Sequence, residues 1–395
     1  MPLECKRLPE IVPNYSLTGD LLSFLRCGLQ YRYHNGSSLP PSRPVQLWFG
    51  EFIHGVMEAA YRLWSSSAPP PVFPWPCNPT PYLGDAPPGR EPHDIGTIGD
   101  SVEDTLRVQG KISRSKDVRA SAYRRVKAAV NEIAPDLFPL VASAEERVIG
   151  TRTLVSPNNA DLRNLRTNRY ELHGVIDVLT DVQLNSVPPE NVFHRAIAAG
   201  CPALPEHFEV VVDYKGSRRP AMNHVYWNQA AWQVQTYAWL RTRQPDSLPV
   251  VAGVLIYVNE LAPIGDDLQE LQHEIRDGIT DVVPENGTAD GYALSLWQHS
   301  RAVPDLSPSF RIGRAIRVVA VTPETQANAT ANFDRVVLDI EKCVAQEANA
   351  GTIRGHWDAG GDASTCIACD FRHFCPSPAP RQGNGLRQIT APPAP

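Results

Sequence analysis

Residues 207–215 read HFEVVVDYK. The β-branched run Val210-Val211-Val212 predicts a strand buried on both faces. The run does not end on an apolar residue. It ends on Asp213 and Lys215, and residues two apart in a strand share a face. A carboxylate and an ammonium group therefore point to one side at the end of a buried strand. Burying a carboxylate is costly unless it meets a cation. A surface ion pair is the plainer reading of this tripeptide taken alone.

Working outward, further elements follow from periodicity. Residues 16–35 read as a helix with Leu21, Leu22, Leu25 and Leu29 on its apolar face. Residues 45–64 read as a second helix, through Phe49, Phe52, Ile53, Val56, Met57 and Ala60. Residues 65–97 are rich in Ser, Pro and Gly, as in a surface insertion. Residues 117–134 read as a helix and Glu145–Leu154 as a strand. Arg169–Val182 reads as two strand segments, Asn228–Leu240 as a helix, Pro249–Val258 and Ala315–Thr322 as strands, and Thr322–Ala350 as a long helix. This order predicts an α/β core, a mixed sheet with a helical flank.

Two more polar residues interrupt apolar surroundings. His54 lies among the apolar residues of the second helix, and Asp177 ends the segment Gly174-Val175-Ile176-Asp177. An isolated histidine of this kind is often a satisfied core residue, and an isolated aspartate a turn residue. Together with Asp213 they form an oxygen-and-imidazole set suited to Mg²⁺ or Mn²⁺, with coordination positions left for water and phosphate. Lys215 would orient the attacking water or stabilise charge in the transition state. The chemistry that these groups fit is phosphodiester hydrolysis.

In this order the residues resemble the RecB-like branch of the PD-(D/E)XK nucleases. That branch includes CRISPR-associated adaptation exonucleases and the nuclease domains of AddAB-type helicase–nucleases. Its G-x-x-x-H is matched by Gly50 to His54, its G-x-x-D by Gly174 to Asp177, its D-x-K by Asp213 to Lys215, and its Q-x-x-x-Y by Gln233 to Tyr237. The similarity runs from about residue 16 to 376. It implies a restriction-endonuclease-like core, metal held by His54, Asp177 and Asp213, catalysis by Asp177, Asp213 and Lys215, and support for Lys215 or DNA contact from Gln233 and Tyr237. Two departures stand out: GVID replaces Pro-Asp, and residues 183–206 form an apparent insertion between the acidic motifs that would reshape substrate access.

Eight cysteines are present. Cys366, Cys369 and Cys375 form C-x2-C-x5-C, and Cys27 lies near the other end of the chain. In iron–sulfur members of the family, one N-terminal and three C-terminal cysteines ligate a [4Fe–4S] cluster. The resemblance assigns that role to Cys27, Cys366, Cys369 and Cys375. A local zinc site of Cys366, Cys369, His373 and Cys375 is the alternative. Cys5, Cys77, Cys201 and Cys343 read as ordinary residues, Cys343 in a helix.

The chain has 395 residues, 42% of them hydrophobic and 20% charged, and a net charge of −6. This is a soluble globular composition, without an overall basic coat. The longest apolar run, Pro249–Val258, is too short to span a bilayer, and Met1–Ser23 lacks an apolar signal core, so no membrane partner is expected and the cytoplasm is. Arg107–Lys127 is a basic segment that reads as a phosphate track or as a solvated face. Arg218 and Arg219 follow the D-x-K strand and are the expected substrate contacts. Tyr226, Trp227 and Trp232 are candidate base-stacking residues. No G-x-x-x-x-G-K-[ST] loop occurs, so a separate helicase, recombination or defence partner is expected by analogy with the family.

The expected layout is a helical N-terminal part over 1–64, a Pro-rich insertion and basic segment over 65–116, a nuclease core over 117–350, the cysteine segment over 351–376 and a flexible tail over 377–395. The expected activity is metal-dependent DNA cleavage in repair, recombination or anti-phage defence. A catalytically silent DNA-binding subunit of a helicase–nuclease complex and a zinc-stabilised interaction protein are the rivals.

Overall fold

The computed structural model describes residues 12–35, 45–154, 165–166, 168–201, 203–361, 365–366, 369, 371–372 and 375–376. Cys5, His373 and the expected tail over 377–395 lie outside them. Among the described residues no helix is long and apolar enough to cross a membrane.

A mixed six-stranded sheet forms the centre, flanked by helices. Its strands are β1 (Asn14–Ser16), β2 (Val141–Thr153), β3 (Arg169–Gln183), β4 (His207–Lys215), β5 (Val250–Tyr257) and β6 (Ile316–Ala320). The order is β1-β3-β4-β5-β6, with β2 also on β3. The valine run of β4 is central, as its composition requires: it pairs antiparallel with β3 and parallel with β5.

Alternation along β4 serves two cores. Val210, Val212 and Tyr214 pack with Phe52, Ile53 and Val56 of α1 (Val45–Ser66), and with α2 (Ile95–Val108) and α3 (Lys116–Ala128). Val211 joins Trp232, Tyr237 and Leu240 of α4 (Val225–Arg241), and Phe333 and Val337 of α5 (Pro323–Ala350). Two buried contacts set α4 along β4. Arg241 donates to both carboxylate oxygens of Glu209, at 2.8 and 2.7 Å, and Gln233 reaches Asp213. Glu209 to Asp213 spans about 13 Å of strand. Arg241 to Gln233 spans about 12 Å of helix. The two spacings match, so the salt bridge places Gln233 over the end of β4.

Three expectations change. Arg169–Val182 is one continuous strand, because β2 pairs along it from Arg169 to Thr180, with a register shift between Val141 and Ser143. Residues 16–35 are not one helix. Ser16 ends β1, and the helical path breaks at Cys27, whose backbone is extended (φ −166°, ψ 110°) between Leu22–Arg26 and Gly28–His34. Residues 183–206, the apparent insertion, contain a core helix, Val192–Gly200, with Phe193 and Ile197 buried.

Candidate metal-dependent active site

β3 has two edges. One is paired with β2 along its length. On the other, β1 pairs with Glu171–His173 and β4 begins only at Val178, opposite Val212. β3 and β4 therefore part just at Asp177 on one strand and Asp213 on the other. Beyond that point β4 stays paired with β5, through Asp213↔Leu255 and Lys215↔Tyr257. The two acids stand where the strands part, each on a rigid support; Asp177 lines the small cleft there with His54 and Glu145, and Asp213 is buried beside it.

Helices reach this cleft from both layers. Nδ1 of His54, from α1, lies 3.2 Å from Oδ2 of Asp177, and that oxygen also accepts the backbone N–H of Tyr214 at 2.8 Å. From α4, Gln233 donates to Oδ1 of Asp213 (2.9 Å) and accepts from Nζ of Lys215 (2.6 Å). Nζ also lies 2.6 Å from Oδ2 of Asp213, so the buried carboxylate is ion-paired with Lys215.

Tyr237, one turn beyond Gln233, explains Gly174. A Cβ on Gly174 would lie 2.5 Å from Cε1 of the Tyr237 ring. Gly174→Ala is expected to displace Tyr237 and cost about 1–3 kcal/mol, read as a lower denaturant midpoint.

The structure adds Glu145, which the sequence reading missed. Among the described residues, His54, Glu145 and Asp177 are the one group of three ligand-type side chains whose ligand atoms lie within 4.8 Å of one another. Glu145 faces Asp177 across the β2–β3 ladder, between the pairs Ala144↔Val178 and Glu146↔Ile176. Its backbone is left-handed (φ 56°), the only such non-glycine among the described residues. That conformation is unfavourable for a residue with a side chain, and such strain gathers at functional sites. The sequence shows only two adjacent glutamates. Register and backbone hand separate Glu145 from Glu146, and neither can be read without the partner strand.

Charge in the cleft fits a cation. Burial disfavours the His54 imidazolium, but Asp177 and Asp213 outweigh it and raise the pKa from 6.5 to about 9. Burial also raises the Asp213 carboxyl, against the pull of Lys215. Desolvation, with the charges of Asp177 and Glu58, raises Glu145. Without metal, the raised His54 pKa stabilises the fold fully below about pH 6.5, an effect lost as the pH passes about 9. In chelator-treated protein, His54→Gln is expected to cost about 1–2 kcal/mol at pH 6 and little at pH 10, by paired denaturant titrations.

Arg218 and Arg219 do not face the cleft as substrate contacts. Arg219 is 3% exposed. It pairs with Asp281 and donates to the carbonyls of Arg314 and Ile316. Arg218 donates to Glu274 at 2.7 Å. Both guanidinium groups thus hold later segments of the chain, Arg218 the helix that carries Glu274 and Arg219 the bend at Asp281. The basic segment is likewise divided. Arg119 pairs with Asp100 and Glu103, Arg125 is buried against Asp267, Lys111 pairs with Glu51 and Arg107 with Asp104, leaving Arg114, Lys116, Arg124 and Lys127 exposed.

The segments that carry the four cysteines meet at one aromatic junction. The Cys27 thiol donates to the Asp358 carbonyl at 3.9 Å, and the Leu29 N–H donates to the same oxygen at 2.8 Å. Trp357 packs on Phe24 and Tyr31, and Phe371 packs on Tyr33 and His34. Cys27, Cys369 and Cys375 border this core, as does Cys343 of α5. The Cys366 thiol donates to the Gly361 carbonyl at 3.4 Å. Among the described residues the four thiols do not gather within the 4.8 Å spacing of the His54 group.

No protein-family model matches the chain, and no curated protein matches it.

Proposed function

We propose that this chain is a metal-dependent nuclease of the RecB-like PD-(D/E)XK type, with Cys27, Cys366, Cys369 and Cys375 as ligands of a [4Fe–4S] cluster. The observation that carries the nuclease reading is the parting of β3 and β4. It leaves Asp177 and Asp213 at the unpaired ends of neighbouring strands, with His54 on Asp177 and Lys215, held by Gln233, on Asp213.

His54, Asp177 and Asp213 would hold the cation, with Glu145 as a further oxygen donor. Mg²⁺ or Mn²⁺ bound there would lower the pKa of a water molecule and offset charge on the phosphoryl oxygens. The protein's own groups do the rest. The Tyr214 N–H fixes the Asp177 carboxylate. Gln233 bridges Asp213 and Lys215 and so holds the ammonium group beside the Asp213 carboxylate. Lys215 is half-buried, and there its charge stabilises the negative charge that builds on oxygen as the phosphodiester bond breaks. Glu145→Gln tests the donor added from the structure. Mn²⁺ affinity is expected to fall about tenfold or more, because one charged oxygen ligand is lost.

The test of function uses the full chain with end-labelled single- and double-stranded DNA. Cleavage with Mn²⁺ that EDTA abolishes is the expected result. DNA binding with no cleavage would make the chain a binding subunit instead.

A further inference from the structure

Between β5 and β6 the chain leaves the sheet for a small lobe, with helices Gly265–Asp277 and Ala289–Leu296. Leu268, Leu271, Leu294, Trp297 and Leu306 form an apolar core there, separate from the two cores on the sheet. A segment with a core of its own moves as one body when its attachment loosens.

The attachment is built largely from charge. Four arginines of the surrounding fold reach into the lobe. Arg125 of α3 pairs with Asp267 at 2.8 Å, Arg218 with Glu274 at 2.7 Å, and Arg219 with Asp281. Arg314 donates to the Thr280 hydroxyl and the Val282 carbonyl, each at 3.0 Å. A backbone bond from the Met222 N–H to the Ile279 carbonyl, at 2.8 Å, adds to them. The arginines thus stand on the fold and the acids on the lobe, as in a latch. Three of the latch nitrogens, Nε of Arg125, Nε of Arg218 and Nη2 of Arg314, are buried without a hydrogen bond among the described residues. Water entering an opened junction would satisfy them, which offsets part of the cost of parting the ion pairs.

The latch also borders the cleft. Arg218 and Arg219 lie three and four residues after Lys215. The Arg219 N–H donates to Glu260 at 2.8 Å, and Glu260 also accepts from Nε of Arg314 at 2.6 Å. Gly216 lies close against α1, where an added Cβ would come within 3.2 Å of Cα of Gly50, one turn before His54. The Arg125 guanidinium carbon stands 5.3 Å from the centroid of the neighbouring Phe49 ring.

We infer that the lobe is hinged on the sheet, and that the arginine latch sets its position and, through the segment 216–222, the placement of Lys215. The hinge itself goes beyond the nuclease reading, and only its consequence for cleavage rests on that reading.

Hydrogen–deuterium exchange of the full chain, without DNA, tests the inference. Glu274→Gln is expected to speed exchange about tenfold over 265–296 and over 216–222, with β4 and β5 unchanged. Arg218→Ala is expected to give the same pattern from the other side of the pair. The double variant is expected to go no further than either single one, because both remove the same interaction. Lobe exchange within twofold of the parent in both single variants would overturn the inference. So would an equal rise in β4 and β5, which would make the ion pairs a support of the whole fold. A lobe that loosens while 216–222 stays protected would break the link to Lys215. Cleavage is not read, so failure here leaves the nuclease reading to its own test.

Discussion

Asp213→Asn protein is expected to fold as the parent does and to lose DNA cleavage by a factor of a hundred or more. Asparagine keeps the oxygen that accepts from Gln233, so the contact at 2.9 Å is preserved. It removes the charge from a group that is 3% exposed, which relieves burial rather than adding to it. What is lost is an anionic ligand for the cation. Lys215→Met is expected to give a similar loss of cleavage, since removing one preorganised charge donor typically costs 10²–10³ in rate. Asp213, already pushed up by burial, then takes up a proton rather than stay charged without a partner. Single-turnover cleavage in Mn²⁺, with far-UV circular dichroism as the folding control, separates lost chemistry from lost structure.

Replacement of Cys27 carries the second large effect. Cys27 interrupts the first helical stretch and sits on the Asp358 carbonyl, which ties the start of the chain to the segment that leads into the other three cysteines. A cluster there closes a loop of more than 300 residues, from Cys27 to Cys366. Chain-entropy arguments give such a closure about 5 kcal/mol. Anaerobically prepared protein is expected to be brown and to hold about four irons per chain, as a [4Fe–4S] centre requires. Cys27→Ala and Cys369→Ala are expected to lose iron and stability alike. Cys343 gives a stringent control, since it borders the same aromatic core yet lies outside the proposed ligand set, so Cys343→Ala is expected to retain its iron. One zinc per chain with Cys27→Ala as stable as the parent would replace the cluster with a local zinc site.

Much of the cleft was legible because its chemistry contradicts its setting. Asp213 and Lys215 break an apolar strand, Asp177 ends another, and His54 interrupts an apolar helix face. Each residue is conspicuous in one dimension. The helix over Gln233 was legible from its period, and its contact with Lys215 follows once Arg241 meets Glu209. Glu145 was not legible, since its part depends on cross-strand register and a left-handed backbone. Arg218 and Arg219 misled for the opposite reason. Closeness in sequence to the strand that carries Asp213 and Lys215 suggested substrate contact, but Arg218 pairs with Glu274 and Arg219 with Asp281. The break at Cys27 was equally hidden, because an apolar helical period continues across it.

The most direct test of the central claim is a paired measurement of Mn²⁺ occupancy, by electron paramagnetic resonance, and of DNA cleavage in the same samples. Parent protein is titrated with Mn²⁺ beside Asp177→Ala and Asp213→Asn. Cleavage by the parent should rise in step with occupancy and vanish with EDTA, and both variants should bind Mn²⁺ weakly and leave the DNA intact. Cleavage at zero Mn²⁺ occupancy, or undiminished cleavage by Asp213→Asn, would contradict the assignment.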